Sequence, residues 1–260
     1  IRINFKESDM MNSKSIQDST KTFGEALKNS GFKGEKRYRL NPEKYKYMFE
    51  THIEQGPILE DNRNHIGVVD CVLGMFNYRV KFYGQAAHAG TFPMNKRQDA
   101  FYAAAQALCY IHDEIDKLKV SELVYTTGEV VCHPCVHTVI PDFFDFSIDA
   151  RHEDPNVLEK VLSIVQSCAD KQWSGCRCVV EKAWNRDTVY WDKELVEYVK
   201  KSAEELDIKH QYIHSGAGHD AQFVSYMIPT TMIFVQSTDG LSHCEPEYST
   251  PEHCTEGATV

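Results

Sequence analysis

Apolar positions in the middle of the chain alternate between a period of two and a helical period. The strand-like runs are Phe76–Tyr83, Leu123–Val131, Phe143–Ala150 and Cys176–Lys182, and the helical runs are Gln98–Lys117 and Asn156–Lys171. A period of two is typical of half-buried strands, and a spacing of three to four is typical of amphipathic helices. The order predicts a β-α-β-β-α-β domain over residues 72–186, the ferredoxin-like arrangement, with two helices behind an antiparallel sheet.

The segments on either side, residues 1–71 and 187–260, predict a second α/β unit. They contain a helical pattern over 14–30, a loop over 33–47, strands at Met48–Gln55, Ile66–Val72 and Thr231–Val235, and a helix over 192–206. Gly31 is a plausible stop for the first helix. The middle domain is therefore expected to be an insertion in an α/β domain. Its helices on one face leave the other face or an edge strand free for pairing with a second subunit.

Composition excludes several classes of partner. The net charge is −10 with no basic block, which argues against nucleic acid. No apolar run is long enough to span a membrane, and no signal peptide is recognisable. Nine cysteines, an odd number without a regular framework, favour reduced thiols in a cytoplasmic protein over disulfides.

Two cysteine pairs offer a further interpretation as metal ligands. Cys132 and Cys135 form one pair, and Cys176 and Cys178 form the other. Both pairs lie in strand-like runs and lack the glycine-rich turns that usually frame a closed zinc site. Part-buried thiols are the preferred interpretation, and a structural zinc is the alternative.

Three histidine motifs lie far apart in the sequence. They contain His52, His88 and His243, each beside small residues at a predicted strand end or tight turn. A strand end fixes the backbone, and small neighbours leave room for an ion or a substrate, so these motifs are typical of a metal site assembled from remote segments. His52 and His243 are the best candidates for metal ligands. A single histidine is otherwise usually a surface residue or a satisfied core residue.

Other polar residues in similar places suggest substrate contacts. Arg151 ends a predicted strand and can hold a carboxylate with two hydrogen bonds, although an ion pair with Asp149 is the simpler interpretation. Gly218 and His219 belong to a glycine-containing loop that offers backbone N–H groups, as a helix N-terminus does. Gln55 should point away from His52 on a regular strand, unless the break at Gly56-Pro57 turns it.

Taken together, these motifs resemble the amidase, hydantoinase and carbamoylase group of the aminoacylase-like zinc metallohydrolases. The matching stretches follow the family order and cover nearly the whole chain: His52–Glu60, Ala86–Met94, Val139–Pro141, Asp149–His152, Ser215–Ala221 and Asp239–His243. The resemblance implies an α/β catalytic domain of the zinc-hydrolase type with an inserted dimerisation (lid) domain. It also implies substrates of the N-carbamoyl amino acid or allantoate class.

The resemblance also implies roles for particular residues. It implies two divalent metal ions, with zinc expected and manganese as the alternative, and with His52 and His243 each binding one of them. His88 would reach the active site of the other subunit in a homodimer and stabilise an oxyanion. Arg151 would bind the substrate carboxylate. Further substrate contacts would come from Gln55, Thr138, Gly218 and His219.

Two departures from the family pattern affect the expected site. The first zinc-binding histidine, the bridging aspartate and the catalytic glutamate pair of the family lie upstream of the position that matches residue 1. In addition, Thr138 stands where the family has an asparagine. Two imidazoles are too few for a catalytic zinc site, and the base that activates water is missing. We therefore expect this chain to be an N-terminally incomplete fragment of an enzyme, inactive by itself.

The resulting prediction is a cytoplasmic, dimeric, metal-dependent hydrolase of linear carbamoyl or ureido C–N bonds. Two alternatives remain open. One is a non-catalytic dimerisation or binding module with the same fold, and the other is a dipeptidase or aminoacylase of the same superfamily. Two bound metal ions per subunit in the intact protein would argue for the enzyme and against the module.

Overall fold

The computed structural model describes residues 6–15, 18–35 and 39–260, and the chain divides into two compact units, Ile1–Lys46 and Tyr47–Val260. The first unit contains helices α1, Glu7–Met11, and α2, Phe23–Asn29. The helix predicted over 14–30 is wrong in its first part. Thr22 caps α2 by accepting the Glu25 N–H, and the Glu25 carboxylate accepts the Thr22 N–H, so the helix begins there. Residues 16 and 17 of this predicted helix, and residues 36–38 of the predicted loop, lie outside the described residues.

Residues 47–260 are described throughout and contain most of the secondary structure. In chain order the elements are β1 Met48–Ile53, α3 Ile58–Asp61, β2 Ile66–Val72, β3 Gly74–Tyr83, β4 Ala87–His88, α4 Ala100–Asp116, β5 Val124–Thr126, β6 Val130–His133, β7 Val139–Ile140, β8 Phe143–His152, α5 Pro155–Ser167, β9 Arg177–Arg186, β10 Val189–Tyr190, α6 Lys193–Glu205, β11 His210–Ser215, α7 Ala221–Val224, β12 Thr230–Val235 and α8 Pro251–Thr259.

One sheet contains the strands of the predicted inserted domain. Its order is β5-β8-β3-β9, with β6 also paired to β8, and every pair is antiparallel. We call this the second sheet. The strand predicted over Leu123–Val131 is interrupted. Its two parts, β5 and β6, both pair with β8, and the register moves by one residue between them. The strand predicted to end at Lys182 continues to Arg186.

Helices α4 and α5 form a hydrophobic core with the second sheet. The buried positions of α4 recur at helical spacing, and Ile111 is fully buried among them. The helix begins after Asp99, whose carboxylate accepts the N–H of Tyr102. Phe82 and Phe146 stack in the same core with ring centroids 6.2 Å apart. Burying each such side chain stabilises the fold by about 1.5–3 kcal/mol, which is what holds the helices against the sheet.

The first sheet is built from the flanking segments. Strand β1 runs parallel to β12, which is antiparallel to β2, and β2 pairs with β11 on its other side and with the short β10 at its end. Strand β12 is buried at every position, as expected for a central strand. Strand β11 is absent from the sequence prediction because its residues, His210–Ser215, are mostly polar. Helix α8 occupies the C-terminal segment, whose sequence pattern had not indicated a helix.

The two sheets have separate hydrophobic cores, and short segments around Leu73 and Asp187 connect them. This arrangement is compatible with an inserted domain, whose boundaries at residues 72 and 186 remain a prediction. Within the described residues, no helix has both the length and the apolar composition that crossing a bilayer requires.

Candidate active site

The ends of β1 and β12 lie side by side in the first sheet. The two strands are parallel, and Ile53 is the partner of Val235 at their carboxyl ends. The chains then diverge into loops that stay in contact, because the Gln55 N–H donates to Ser237 Oγ at 3.1 Å. Side chains at such a strand edge are close in space although they are remote in sequence. This edge therefore holds two of the predicted motifs, those of His52 and His243.

His52 lies in a cluster with Glu50 and His219. Glu50 and His52 are two residues apart on β1 and so share one face of the sheet. The rings of His52 and His219 meet edge to face, with centroids 4.7 Å apart. His52 Nδ1 lies 2.8 Å from the Ile53 carbonyl, which can only accept, so Nδ1 carries the proton and Nε2 keeps its lone pair.

The donor set of this cluster fits a divalent metal ion. One ligand atom from each of Glu50, His52 and His219 lies within 4.8 Å of the others. Two imidazoles and one carboxylate are ligands that zinc-type ions accept. The hydrogen bond from His52 Nδ1 to a carbonyl is also the type of contact that orients a metal-binding histidine. Glu50 was not among the predicted residues, although its position two residues before His52 was a usable signal.

His219 is buried and held by short hydrogen bonds. Its Nε2 lies 2.6 Å from Ser215 Oγ, and its backbone N–H donates to Gln222 Oε1 at 3.0 Å. Burial, with smaller contributions from His52 and Arg186, lowers the pKa of His219 to about 4. The ring is therefore neutral near pH 7, as a metal ligand or a neutral hydrogen-bonding group must be.

Gly218 lies close to the end of the Arg186 side chain. A Cβ atom at Gly218 would lie 3.0 Å from Arg186 Nη1, which donates to Gln222 Oε1 at 2.8 Å. Burial lowers the pKa of Arg186, and the neighbouring charge of Arg151 adds to this effect. Arg186 is a residue of this region that the sequence analysis missed. The predicted strand stopped at Lys182, so its register could not place Arg186 beside the site.

Gln55 turns toward the loop that carries His243. Its backbone is left-handed, with φ of 61°, so the break at Gly56-Pro57 does redirect the side chain. Gln55 Nε2 donates to Ser242 Oγ at 3.0 Å and lies 3.4 Å from His243 Nε2. The two loops touch at Gly240, where a Cβ atom would lie 2.6 Å from Pro57 N. This contact requires glycine and keeps Gln55 beside His243.

Glu247 holds the His243 loop from the other side. Its carboxylate accepts the His243 N–H at 2.6 Å and the Ser242 hydroxyl at 2.9 Å. The hydrogen bond from the His243 N–H, then that from Ser242, lowers the pKa of Glu247, with smaller contributions from the charges of His243 and His52. The carboxylate therefore lies within electrostatic range of both predicted metal ligands. No described group of three candidate ligands contains His243 together with His52.

A cleft of about 300 Å³ opens between these loops and the end of the second sheet. It is lined by Glu54, Gln55, Arg151, Gly216, Ala217, Ser242 and His243. Arg151 Nε donates to Asp149 Oδ1 at 2.8 Å, and its Nη1 donates to the Gly216 carbonyl at 2.7 Å. The ion pair with Asp149 is therefore present, and it fixes a guanidinium that also lines the cleft. Such a fixed guanidinium can bind an anion at little entropic cost.

His88 and Thr138 lie together at another place. Strand β4 pairs with β7, and the Ala89 N–H donates to the Thr138 carbonyl at 2.9 Å. His88 Nδ1 accepts the N–H groups of Gly90 and Thr91 at 3.0 and 3.2 Å. Nδ1 is thus an acceptor, and the proton of the neutral ring is on Nε2, which is available as a donor. Neither His88 nor Thr138 is among the residues that line the cleft.

The four cysteines of the two pairs form no disulfide in the structure. All nine cysteines are free, and none of the candidate metal groups in the described residues contains a member of either pair. Burial raises the pKa of Cys176 to about 11 and that of Cys178 to about 12, which favours the protonated form.

Comparison with known proteins identifies the family. Residues 24–260 match the peptidase family M20/M25/M40, and the chain belongs to this family. It is 34% identical over 240 residues to an allantoate amidohydrolase of Escherichia coli (strain K12), covering 91% of this chain and 58% of that protein. It is 34% identical over 242 residues to an N-carbamoyl-L-amino-acid amidohydrolase of Rhizobium meliloti, covering 92% and 58%.

Solved structures support the same assignment. A crystal structure of an amidase of the hydantoinase/carbamoylase family from Burkholderia multivorans matches with a TM-score of 0.81 and 35% identity, covering 98% of this chain and 61% of the other. By sequence, a ureidoglycolate hydrolase of Arabidopsis thaliana is a further relative, 31% identical over 249 residues, covering 92% of this chain and 52% of that protein. The resemblance to the amidase, hydantoinase and carbamoylase group is confirmed, and so is the predicted fold class with a partial catalytic domain. The chain spans roughly three-fifths of the length of the relatives that it matches.

Proposed function

We propose that the intact protein hydrolyses a linear carbamoyl or ureido C–N bond in a small substrate that bears a carboxylate. The observation that carries this proposal is the cleft in which Arg151, Gln55 and His243 lie together. A guanidinium fixed by Asp149 offers a carboxylate binding group, and the Gln55 amide offers a donor and an acceptor for a ureido group. The relatives named as amidohydrolases support the same reaction class.

Other residues would complete the contacts with substrate. Arg186 adds a second positive charge beside Arg151, which strengthens the attraction for a carboxylate. Gly218 and His219 belong to the loop whose Gly216 carbonyl holds Arg151, so we assign them to the wall of the substrate site. His219 is neutral near pH 7 because burial lowers its pKa, so it would act there as a hydrogen-bonding group rather than as a cation.

We further propose that the intact enzyme holds two divalent metal ions, zinc or alternatively manganese, with His52 and His243 among their ligands. The free Nε2 of His52 and the nearby Glu50 support a ligand role for this part of the site. When bound, such an ion supplies a Lewis acid and an activated water. This chain contributes the imidazole ligands, and the Glu247 carboxylate holds the backbone of His243 in place.

His88 would act from the other subunit of a homodimer. The N–H groups of Gly90 and Thr91 occupy its Nδ1, so its Nε2–H is directed outward as a donor suited to a developing oxyanion. Thr138, bonded through its carbonyl to the chain next to His88, would accompany it. This assignment accounts for the absence of both residues from the lining of the cleft.

Nine free thiols support a cytoplasmic location for the protein.

The function can be tested on the full-length protein loaded with Zn²⁺ or Mn²⁺. Allantoate, ureidoglycolate and N-carbamoyl amino acids would be compared with dipeptides and N-acetyl amino acids by following release of ammonia or free amine. Faster turnover of the carbamoyl and ureido compounds is expected. Preference for the dipeptides or N-acetyl compounds would instead identify a dipeptidase or aminoacylase. Stoichiometric metal binding without turnover of any of them would identify a binding module.

A further inference from the structure

We propose that His65, His253 and Glu256 form a second binding site for a divalent transition-metal ion, separate from the candidate active site. One ligand atom from each of the three residues lies within 4.8 Å of the others. The site is independent of the proposed function, because it uses none of the residues assigned to the reaction. It connects the start of strand β2 to the C-terminal helix α8.

The local structure explains why these three residues meet. His65 directly precedes β2, and its backbone N–H is bonded to the Lys209 carbonyl. His253 and Glu256 are three residues apart on α8, so they project from the same side of the helix. Helix α8 lies very close to the sheet, since a Cβ atom at Gly257 would be only 2.2 Å from Val235 Cγ1. The close approach brings one face of the helix against the first residues of β2.

The side chains are already arranged as neighbouring ligands. His65 Nδ1 lies 2.9 Å from Glu256 Oε2, and the rings of His65 and His253 have centroids 5.0 Å apart. A tetrahedral ion with bonds of about 2.0–2.1 Å separates adjacent ligands by about 3.3 Å, so small side-chain movements are sufficient. In addition, His253 Nδ1 is buried and has no hydrogen-bond partner within the described part of the chain. A buried nitrogen without a partner is unfavourable, and coordination of an ion by Nδ1 would compensate for it.

The chemistry of the three ligands selects a class of ion. Two imidazoles and one carboxylate suit Zn²⁺, Co²⁺ or Ni²⁺, whereas Ca²⁺ and Mg²⁺ prefer sites made entirely of oxygen atoms. The side chains of His65 and Glu256 are 39% and 30% exposed, so an ion can reach them from solvent. Three protein ligands leave a position for water. An ion bound here would fasten α8 to the sheet.

This site lies on the face of the first sheet opposite the candidate active site. Successive residues of a strand point to opposite faces. Thr51 faces α8, because its Oγ1 donates to the Gly257 carbonyl at 3.3 Å. The next residue, His52, faces His219 and Phe234 instead. The sheet itself therefore separates the two groups of ligands.

The test uses the 260-residue chain with Zn²⁺ and Co²⁺ as probes. A background carrying His52→Asn and His243→Asn removes the proposed active-site ligands. We expect this background to bind one Co²⁺ ion per chain, followed by its visible absorption, and to show a higher Tm when Zn²⁺ is added. Adding Glu256→Gln or His65→Asn should weaken Zn²⁺ binding more than about tenfold, as expected for removal of a metal ligand.

The matched control is Glu252→Gln, an exposed carboxylate on the same helix that lies outside the cluster. It should leave metal affinity unchanged. Far-ultraviolet circular dichroism of each metal-free variant checks that it is folded. His65 and Glu256 lie on different elements, so if one variant fails to fold, the other still tests the site. Equal metal affinity in the background, Glu256→Gln and His65→Asn proteins would overturn the proposal. So would absence of any bound ion in the background protein.

Discussion

Arg151 and Arg186 are the Cα partners of the same residue, Met75, on the two strands that flank β3. Side chains that face each other across antiparallel strands project from the same side of the sheet. The two guanidinium groups are therefore neighbours, and the charge of Arg151 adds to the effect of burial in lowering the pKa of Arg186. In the proposed site, a carboxylate bound beside them would relieve this repulsion.

The first prediction concerns Arg151 in the full-length enzyme. Arg151→Lys should reduce kcat/KM by the equivalent of about 2–3 kcal/mol, because an ammonium cannot reproduce the fork of two hydrogen bonds. The loss should fall on substrates with a free carboxylate and spare an amide analogue that lacks one. Arg177→Lys, which changes an exposed arginine at the start of β9, is the matched control. Equal and small effects on both substrates would remove Arg151 from the site.

The second prediction tests whether His88 acts across a dimer. Full-length His88→Asn and Arg151→Lys proteins should each have low activity toward a carboxylate-bearing substrate. After mixing, dissociation and reassociation, each mixed dimer should contain one site with both native residues, so about a quarter of native activity should return for random pairing. If the activity of the mixture stays at the average of the two variants, the prediction is wrong. In that case His88 and Arg151 act in the site of the same subunit, or His88 has no role in the reaction.

The third prediction concerns pH and the pair His214–Asp70. His214 Nδ1 lies 2.6 Å from Asp70 Oδ1, and this hydrogen bond, with the charges of Asp70 and Glu153, raises the pKa of His214. A raised pKa in the folded state stabilises the protein below the ordinary histidine pKa of about 6.5, and this stabilisation is lost as pH rises through the folded-state pKa. Asp70→Asn should therefore lower the free energy of unfolding more at about pH 5.5 than at about pH 9.

Two measurements check this pair. Urea unfolding at both pH values gives the stability difference, and an NMR titration of the His214 ring gives its pKa directly. Glu153→Gln should lower that pKa less than Asp70→Asn does, because the Glu153 carboxylate is farther from the ring, at 3.4 Å from Nε2. A His214 pKa that does not respond to Asp70→Asn would contradict the assignment.

The fourth prediction concerns the close packing of α8. Gly257→Ala should destabilise the protein by about 1–3 kcal/mol, because the new methyl group would overlap Val235 and the helix would have to move. Gly128→Ala is the control, since no heavy atom lies within 4 Å of a Cβ placed there. Urea denaturation of both variants gives the comparison. An increase in the free energy of unfolding of Gly257→Ala would contradict this prediction. It would mean that the higher helix propensity of alanine outweighs the overlap with Val235.

Sequence periodicity predicted the elements of the second sheet well because their apolar faces are buried on one side. Phe76–Tyr83 alternates between buried and half-buried positions as expected, and α4 buries the alanines and isoleucines of its predicted stripe. Strand β11 was missed because tertiary pairing with β2, rather than apolar content, holds His210–Ser215 in the sheet. The helix over 14–30 was extended too far because the periodic signal ignored the cap at Thr22.

By itself, the sequence determined which residues belong to the histidine motifs, the ferredoxin-like order of strands and helices, and the resemblance to a family. These properties depend on local spacing and on residue type, which can be read along the chain. Only the tertiary structure decided which side chains meet. Gln55 reaches His243 through a left-handed backbone, His219 meets His52 from a remote loop, and Arg186 stands beside Arg151 through the register with β3. Such contacts depend on strand register and on packing between remote segments, and neither is contained in the periodicity of a single segment.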